Sequence, residues 1–275
     1  MTRLILVILL ALQWHFPQAF AQTLEIFELD YNILDTRLGK YAKKNRERMT
    51  RLEELFQDAG CTSPHLQKQP IRGSELANVI CALPGSTDSL IIVGAHYDFA
   101  GDGQGVVDNW SGASLLPSLY ESLRTHPRHH TYLFIGFGEE ETGFLGSQSY
   151  VRQLSKEQRL KIHAMVNLDS LGLSGTKVEM GRGDQNLIKL LSRVSKATGL
   201  PLDGMNADRV GDSDANSFSR AKVPTVTIHS ITQDTLPIIH SRLDLLTAVK
   251  LNDYHDTFML VAYYLAALDE LVHTK

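Results

Sequence analysis

Seven side chains in this sequence have the types and the order to do chemistry together: His96, Asp98, Asp108, Glu140, Glu141, Asp169 and His240. Two imidazoles among several carboxylates make a donor set that borderline divalent cations such as zinc prefer. The acids carry a second message. Carboxylates gathered in one place repel and raise one another's pKa, so such a cluster needs positive charge to be tolerated, and a pair of metal ions supplies it. Taken singly, each residue is ordinary: a histidine after an apolar run is usually packed or exposed, and three glutamates in a row usually form a solvated turn. The argument rests on their joint placement.

The elements that must position them are strands. Residues 90–93 (Leu-Ile-Ile-Val) are β-prone and apolar without polar alternation, which suits a strand buried on both faces of a largely parallel sheet. This run leads into His96 and Asp98, and a glycine-rich loop then reaches Asp108. Residues 131–137 (TYLFIGF) form a second such run ahead of Glu139-Glu140-Glu141, and residues 162–168 a third that stops at Asp169. In open α/β sheets the carboxyl edge of the strands is where ligands bind. A further strand at residues 223–228 precedes Ile238-Ile239-His240, and residues 177–180 form a weaker one.

Between these runs the pattern is helical. Residues 111–123 carry apolar positions at helical spacing, with Ser111 placed as the cap and Pro117 expected to kink the helix. A helix opens at Gly146-Ser147; another runs from Asp184 as cap to Gly199 as stop; residues 248–272 read as a long amphipathic closing helix. Residues 24–60 are charged and helical in character, with Lys43, Lys44, Arg46 and Arg48 expected on a solvated face. Residues 78–83 form a short strand, turned by Pro84-Gly85 and expected to pair with the strand that follows. Alternating strands and helices predict an α/β fold, a mixed, largely parallel twisted sheet sandwiched between helices.

Composition bounds the rest. At 275 residues, with 43% hydrophobic and 21% charged residues, the chain is an ordinary globular protein. Its net charge of −4 excludes nucleic acid as a partner class, because no basic excess exists to neutralise phosphates. Arg3, an apolar stretch at residues 4–12 and Ala19-Phe20-Ala21 read as a secretory signal peptide over residues 1–21. That apolar stretch falls well short of the about 20 residues that a spanning helix needs, so no stable membrane association is expected after cleavage. Residues 22–275 then form a single domain, secreted or periplasmic, since no linker or repeat divides them. Cys61 and Cys81 are an even pair in an exported chain, which favours a disulfide over two buried thiols.

Five ordered motifs together resemble the M28 family of zinc peptidases: His96-Tyr97-Asp98, residues 108–112 (DNWSG), residues 140–147 (EETGFLGS), Asn167-Leu168-Asp169 and His240. That family includes secreted bacterial aminopeptidases and, more distantly, glutaminyl cyclases. The resemblance runs from about residue 78 to residue 240 and beyond. It implies two zinc ions, with Asp108 bridging them, His96 and Asp169 completing one site, and Glu141 and His240 the other. Glu140 matches the family's general base and Asp98 the carboxylate that orients His96, and peptides are the implied substrates. Counting back from Gly146-Ser147 leaves Glu139 outside the pair.

The resemblance is not complete. The stretch at residues 211–218 (GDSDANSF) is similar to a family segment in which a histidine often stands at the position of Ala215, so for Asp212 and Asp214 turn chemistry is the expectation. His229 is expected to be packed, and His126, His129 and His130 to be exposed in a loop. Two other activities fit the same motifs less well: a glutaminyl cyclase, and a binding module without catalysis on the same fold.

Overall fold

A computed structural model describes residues 4–8, 22–26, 28–206 and 212–272. Strands β1 (Leu4–Ile8) and β2 (Gln22–Ile26) pair antiparallel, and β2 packs on the last helix of the chain. Most of the expected signal peptide, including its cleavage site, lies outside the described residues. Helices α1 (Tyr31–Leu38) and α2 (Asn45–Asp58) follow, then β3 (Leu66–Pro70), β4 (Ala77–Leu83), β5 (Leu90–His96), α3 (Ser111–Leu123) and β6 (Thr131–Phe137). The second half holds α4 (Leu145–Gln153), α5 (Lys156–Leu160), β7 (Ile162–Leu168), β8 (Lys177–Glu179), α6 (Gln185–Thr198), β9 (Asp203–Met205), α7 (Ala215–Arg220), β10 (Thr225–His229) and α8 (Leu251–Val272).

Eight strands form one sheet in the order β3-β4-β6-β5-β7-β10-β8-β9. Its centre, β6-β5-β7-β10, is parallel; β4 and β8 join it antiparallel, and outside them β3 pairs antiparallel with β4 and β9 parallel with β8. Strand β4 pairs with β6, not with its successor β5 as the short Pro84-Gly85 turn suggested. The reason lies in burial: β5 has six of its seven residues buried, and parallel neighbours on both edges give its backbone complete pairing. Chain order jumps from β6 across β5 to β7, which makes the carboxyl end of β5 a switch point where a crevice opens.

Alternation along β5 divides the core in two. Ile91, Val93 and Ala95 face α1, α2, α3, α6 and α8, while Ile92 faces the smaller cluster built by Tyr150 of α4 and Phe218 of α7. Helix α8 is buried around almost its whole circumference from Tyr254 to Leu268, so the expected amphipathic pattern gives way to a central helix covered by α3, α6 and β2. Helix α3 runs unbroken through Pro117. Its first residue, Ser111, is no cap: the hydroxyl donates to Val107 O at 2.7 Å and accepts from Leu171 N–H at 2.9 Å, tying the start of the helix to the loop after β7. Helix α6 follows expectation, with the Asp184 carboxylate accepting from Asn186 and Leu187 N–H and Gly199 closing it at φ 74°.

Cys61, after α2, is bonded to Cys81 in β4. Among the described residues no helix is long and apolar enough to cross a membrane.

Candidate metal centre

The three central strands deliver their residues to one edge, as their sequence ends required. His96 closes β5, the loop after β6 presents Glu140 and Glu141, and Asp169 follows β7 directly. His96 Nε2 lies 3.1 Å from Asp108 Oδ1 and 3.9 Å from Asp169 Oδ1. On the other side of the same carboxylate, His240 Nε2 is 2.9 Å from Asp108 Oδ2 and 3.2 Å from Glu141 Oε2. Two donor triads result, His96–Asp108–Asp169 and Asp108–Glu141–His240, in each of which the ligand atoms lie within 4.8 Å of one another. Asp108 belongs to both.

Each member has local support. Asp108 sits in the turn at residues 106–110, where the Asp244 carboxylate accepts from Val107 N–H at 2.7 Å and from Asp108 N–H at 3.1 Å. The Asn109 side chain accepts from Gly112 and Ser170 N–H and donates to Leu168 O, joining this turn to the end of β7. His96 is 3% exposed, and its Nδ1 bonds the backbone carbonyl of Asp98 at 3.0 Å, with the Asp98 carboxylate farther off at 3.8 Å. The orienting contact therefore comes from the main chain of Asp98, while its carboxylate accepts from the N–H groups of Glu140 and Glu141 at 3.2 and 3.3 Å. Asp98 fixes both halves of the site at once. Glu139 is turned away, held by the Ser74 and Thr142 hydroxyls, in keeping with the register that leaves it outside the pair.

Electrostatics show what the cluster requires. Burial, with the charges of Asp214, Asp169 and Asp108, pushes Glu140 up to about 9 despite His96. Burial, with Asp108 and Glu141, pushes Asp169 up to about 6. Burial lowers the His96 pKa, but Glu140, Asp108 and Asp169 outweigh it and hold the imidazolium well above its ordinary range. Hydrogen bonds to Asp108 and Glu141 raise His240 to about 10. Burial would raise Asp108, yet the two imidazoles hold its carboxyl far below the usual range. The shifts share one cause, the crowding of buried carboxylates around two imidazoles. Imidazole and carboxylate donors that converge in this way, with an excess of negative charge, fit divalent metal ions.

Three residues in this assembly, Arg48, Asp244 and Asp214, and one outside it, His130, carry more than their sequence context signalled. Arg48, expected on a solvated face, is fully buried. It donates to the carbonyls of Ala42, Tyr97, Gln104 and Gly105, and its guanidinium lies 4.5 Å from the Phe99 ring centre. It thereby clasps both ends of the loop between His96 and Asp108. A helix-spaced cationic residue carries no local sign of this, because the carbonyls it meets lie on a distant loop. Asp244 is legible only as the last residue of residues 240–244 (HSRLD), and its role appears only when that segment folds over the turn at residues 106–110. Asp214 is 1% exposed beside the cluster, where burial and the charges of Asp98 and Asp169 outweigh His96 and the nearby Ser147 hydroxyl and push it up to about 7. That hydroxyl is turned to Phe144 O and Ser217, and the carboxylate oxygens have no hydrogen-bond partner among the described residues, so turn chemistry does not account for this aspartate. Asp212 instead pairs with Arg182 at 2.6 Å. His130, expected to be exposed, is 1% exposed and bonded to Asp269 and His163, far along the chain from the cluster.

A cavity of about 400 Å³ opens beside the two triads and is walled by β10, α7 and the loops at residues 179–183 and 143–144. Fold and cluster together define an α/β protein with a crevice suited to divalent metal ions at its sheet edge. The chain belongs to Peptidase family M28, whose model matches residues 78–265. It is similar to aminopeptidase YwaD of Bacillus subtilis, at 32% identity over 139 residues, 49% of this chain and 30% of that protein. The structure of BSAP, a zinc aminopeptidase from Bacillus subtilis, aligns at a TM-score of 0.63 and 25% identity over 69% of this chain and 49% of that one. A glutaminyl cyclase from an Acidobacteriales bacterium shares the fold, at a TM-score of 0.70 and 16% identity over 88% of this chain and 94% of its own. The matches thus span 30% of the curated relative and about half of the solved aminopeptidase.

Proposed function

We propose that the protein is a zinc-dependent aminopeptidase that removes N-terminal residues from peptides, using two ions that share Asp108. His96 and Asp169 complete one site with it, Glu141 and His240 the other. The observation that carries this reading is the meeting of two donor triads on one carboxylate, with Glu140 in reach of His96 and Glu141. Zinc bound there lowers the pKa of a water and polarises the carbonyl to be attacked. Glu140 receives the proton of the attacking water on its carboxylate and returns it to the departing amine. Asp98 holds His96 through Nδ1 and so leaves Nε2 directed at Asp108. No serine or cysteine nucleophile is required.

The same reading takes residues 1–21 as a cleaved signal peptide and residues 22–275 as one peptidase domain acting outside the cytoplasm. The Cys61–Cys81 bond supports an oxidising compartment.

The test is chelation followed by zinc titration, with turnover read on aminoacyl chromogenic substrates and bound zinc measured alongside. Activity that falls with chelation and returns as about two zinc ions bind supports the proposal. Activity indifferent to both steps defeats it. A Gln-initiated peptide in the same assay, followed by mass spectrometry, separates residue removal from the ammonia loss that a cyclase produces.

A further inference from the structure

We propose that Gln104 is a positioning residue for His240: with Gly101 and Gly103 it docks residues 240–246 onto the loop after β5 and so holds the second donor triad together. The inference rests on the two-ion reading and names the residue on which one of the two sites depends.

The two imidazoles are held in different ways. His96 ends β5, where pairing with β6 fixes its backbone. His240 belongs to no helix or strand: it follows the short turn at residues 236–238, its φ is 57°, and its side chain is 55% exposed. A side chain at positive φ keeps its place where the surrounding structure determines the backbone. For His240 that support comes from outside its own segment.

The anchor is the loop at residues 101–105. Gln104 N–H donates to Asp244 O at 2.7 Å, and Gln104 Oε1 accepts from Leu246 N–H at 3.0 Å, so one residue grips the segment with its main chain and its side chain. The Gln104 carbonyl accepts from Arg48, which fixes the loop from behind. The glycines let the two backbones meet. A Cβ on Gly101 would lie 2.9 Å from His240 O, and one on Gly103 would lie 2.7 Å from Asp244 O and still closer to Ser241 O.

Tight turns pass this anchorage back to the imidazole. Asp244 N–H donates to Ser241 O at 3.0 Å, and Ile238 O accepts from Ser241 N–H at 3.3 Å and from the Ser241 hydroxyl at 2.7 Å. Residues 238–244 are therefore one folded unit, held at its far end by Gln104 and carrying His240 Nε2 2.9 Å from Asp108 and 3.2 Å from Glu141. Asp244 serves both triads, because its carboxylate also holds the backbone of Asp108. The Gln104 carboxamide bonds Leu246 and, among the described residues, no member of the first triad, so changing it separates the two sites.

Three variants are compared with wild type. Gln104→Met keeps the length of the side chain and loses the acceptor, Gln104→Glu keeps an acceptor, and Gly103→Ala adds the obstructing Cβ. Hydrogen exchange followed by mass spectrometry on the chelated proteins reads the docking, and calorimetric zinc titration reads the two sites. In Gln104→Met and Gly103→Ala a peptide covering residues 240–246 should exchange faster, and the second zinc should bind about tenfold or more weakly while the first binds as in wild type; Gln104→Glu should restore both readouts. Unchanged exchange in both disruptive variants overturns the proposal. So does faster exchange with second-site affinity unchanged, or an equal loss at both sites, which marks a general structural effect. If wild type binds fewer than two zinc ions, the two-ion reading fails, and the exchange data alone decide whether Gln104 docks the segment that carries His240. If Gly103→Ala does not fold, the two Gln104 variants decide.

Discussion

Arg48→Met removes the clasp over the loop between His96 and Asp108 while keeping an unbranched side chain in the space. Four hydrogen bonds from a charged donor contribute about 6 kcal/mol at the low end of their usual range. Against this stands the cost of burying the guanidinium, which pulls its pKa down to about 10 in spite of the nearby charges of Asp244, Asp98, Asp108 and Glu141. At about 1.4 kcal/mol for each unit that cost is about 3 kcal/mol. The difference, about 3 kcal/mol, is the expected loss in stability of the chelated protein, measured by guanidinium chloride unfolding. Because the freed loop carries two of the proposed ligands, zinc affinity measured by competition with a chromogenic chelator should fall about 10- to 100-fold. An unfolding midpoint equal to that of wild type refutes the clasp. A loss of stability with zinc affinity unchanged refutes its link to the metal centre.

Asp108→Ala should abolish turnover more completely than His96→Ala and should leave less than one zinc per chain by elemental analysis, since both triads lose a member; near-normal turnover or two bound zinc ions would contradict the shared carboxylate. The chelated protein should lose stability as pH rises from about 6 to 10. Glu140 and His240 have folded pKa values above their ordinary ones, at about 9 and about 10, so over this range the folded state holds protons that the unfolded state has released. Zinc replaces those protons, and thermal melts of the loaded protein should show a much flatter dependence; parallel curves for the two forms would count against the proton balance described above. Cys61→Ser with Cys81→Ser opens a loop of 20 residues and should cost about 3 kcal/mol in urea unfolding, a loss that reduction of the wild type should reproduce.

The central architecture was legible because its signals are local. Runs such as residues 131–137 are apolar without alternation, which marks buried parallel strands, and residues of like chemistry recur directly after them. The helix from Gln185 to Thr198 has its start and stop signals, Asp184 and Gly199, directly beside it in the sequence. What stayed hidden depends on distant partners. Strand β3 reads Leu-Gln-Lys-Gln-Pro and has no apolar pattern, because it is an edge strand largely exposed on both faces. Pairing of β4 with β6 instead of β5 is decided by the burial of β5, not by the turn between β4 and β5. Charge and loop context place Arg48 and His130 in solvent, whereas each is buried with a partner distant in sequence, Tyr97 O for Arg48 and Asp269 for His130. At the site, residue types and spacing identified the cluster, but not that Asp98 supports His96 through its carbonyl or that Asp244 holds the turn bearing Asp108.

Asp108 meets His96, 12 positions before it, and His240, 132 positions after it. A chain emerging from the ribosome therefore carries the first triad and Glu141 long before His240 exists, and no fragment that ends before residue 240 can gather both triads. In the proposed reading, the hydrolytic power of the molecule arrives only when the sheet has closed around its last strand and the segment beyond has folded back. In that reading a chain that stops short of residue 240 lacks a member of the second triad and so lacks the paired centre.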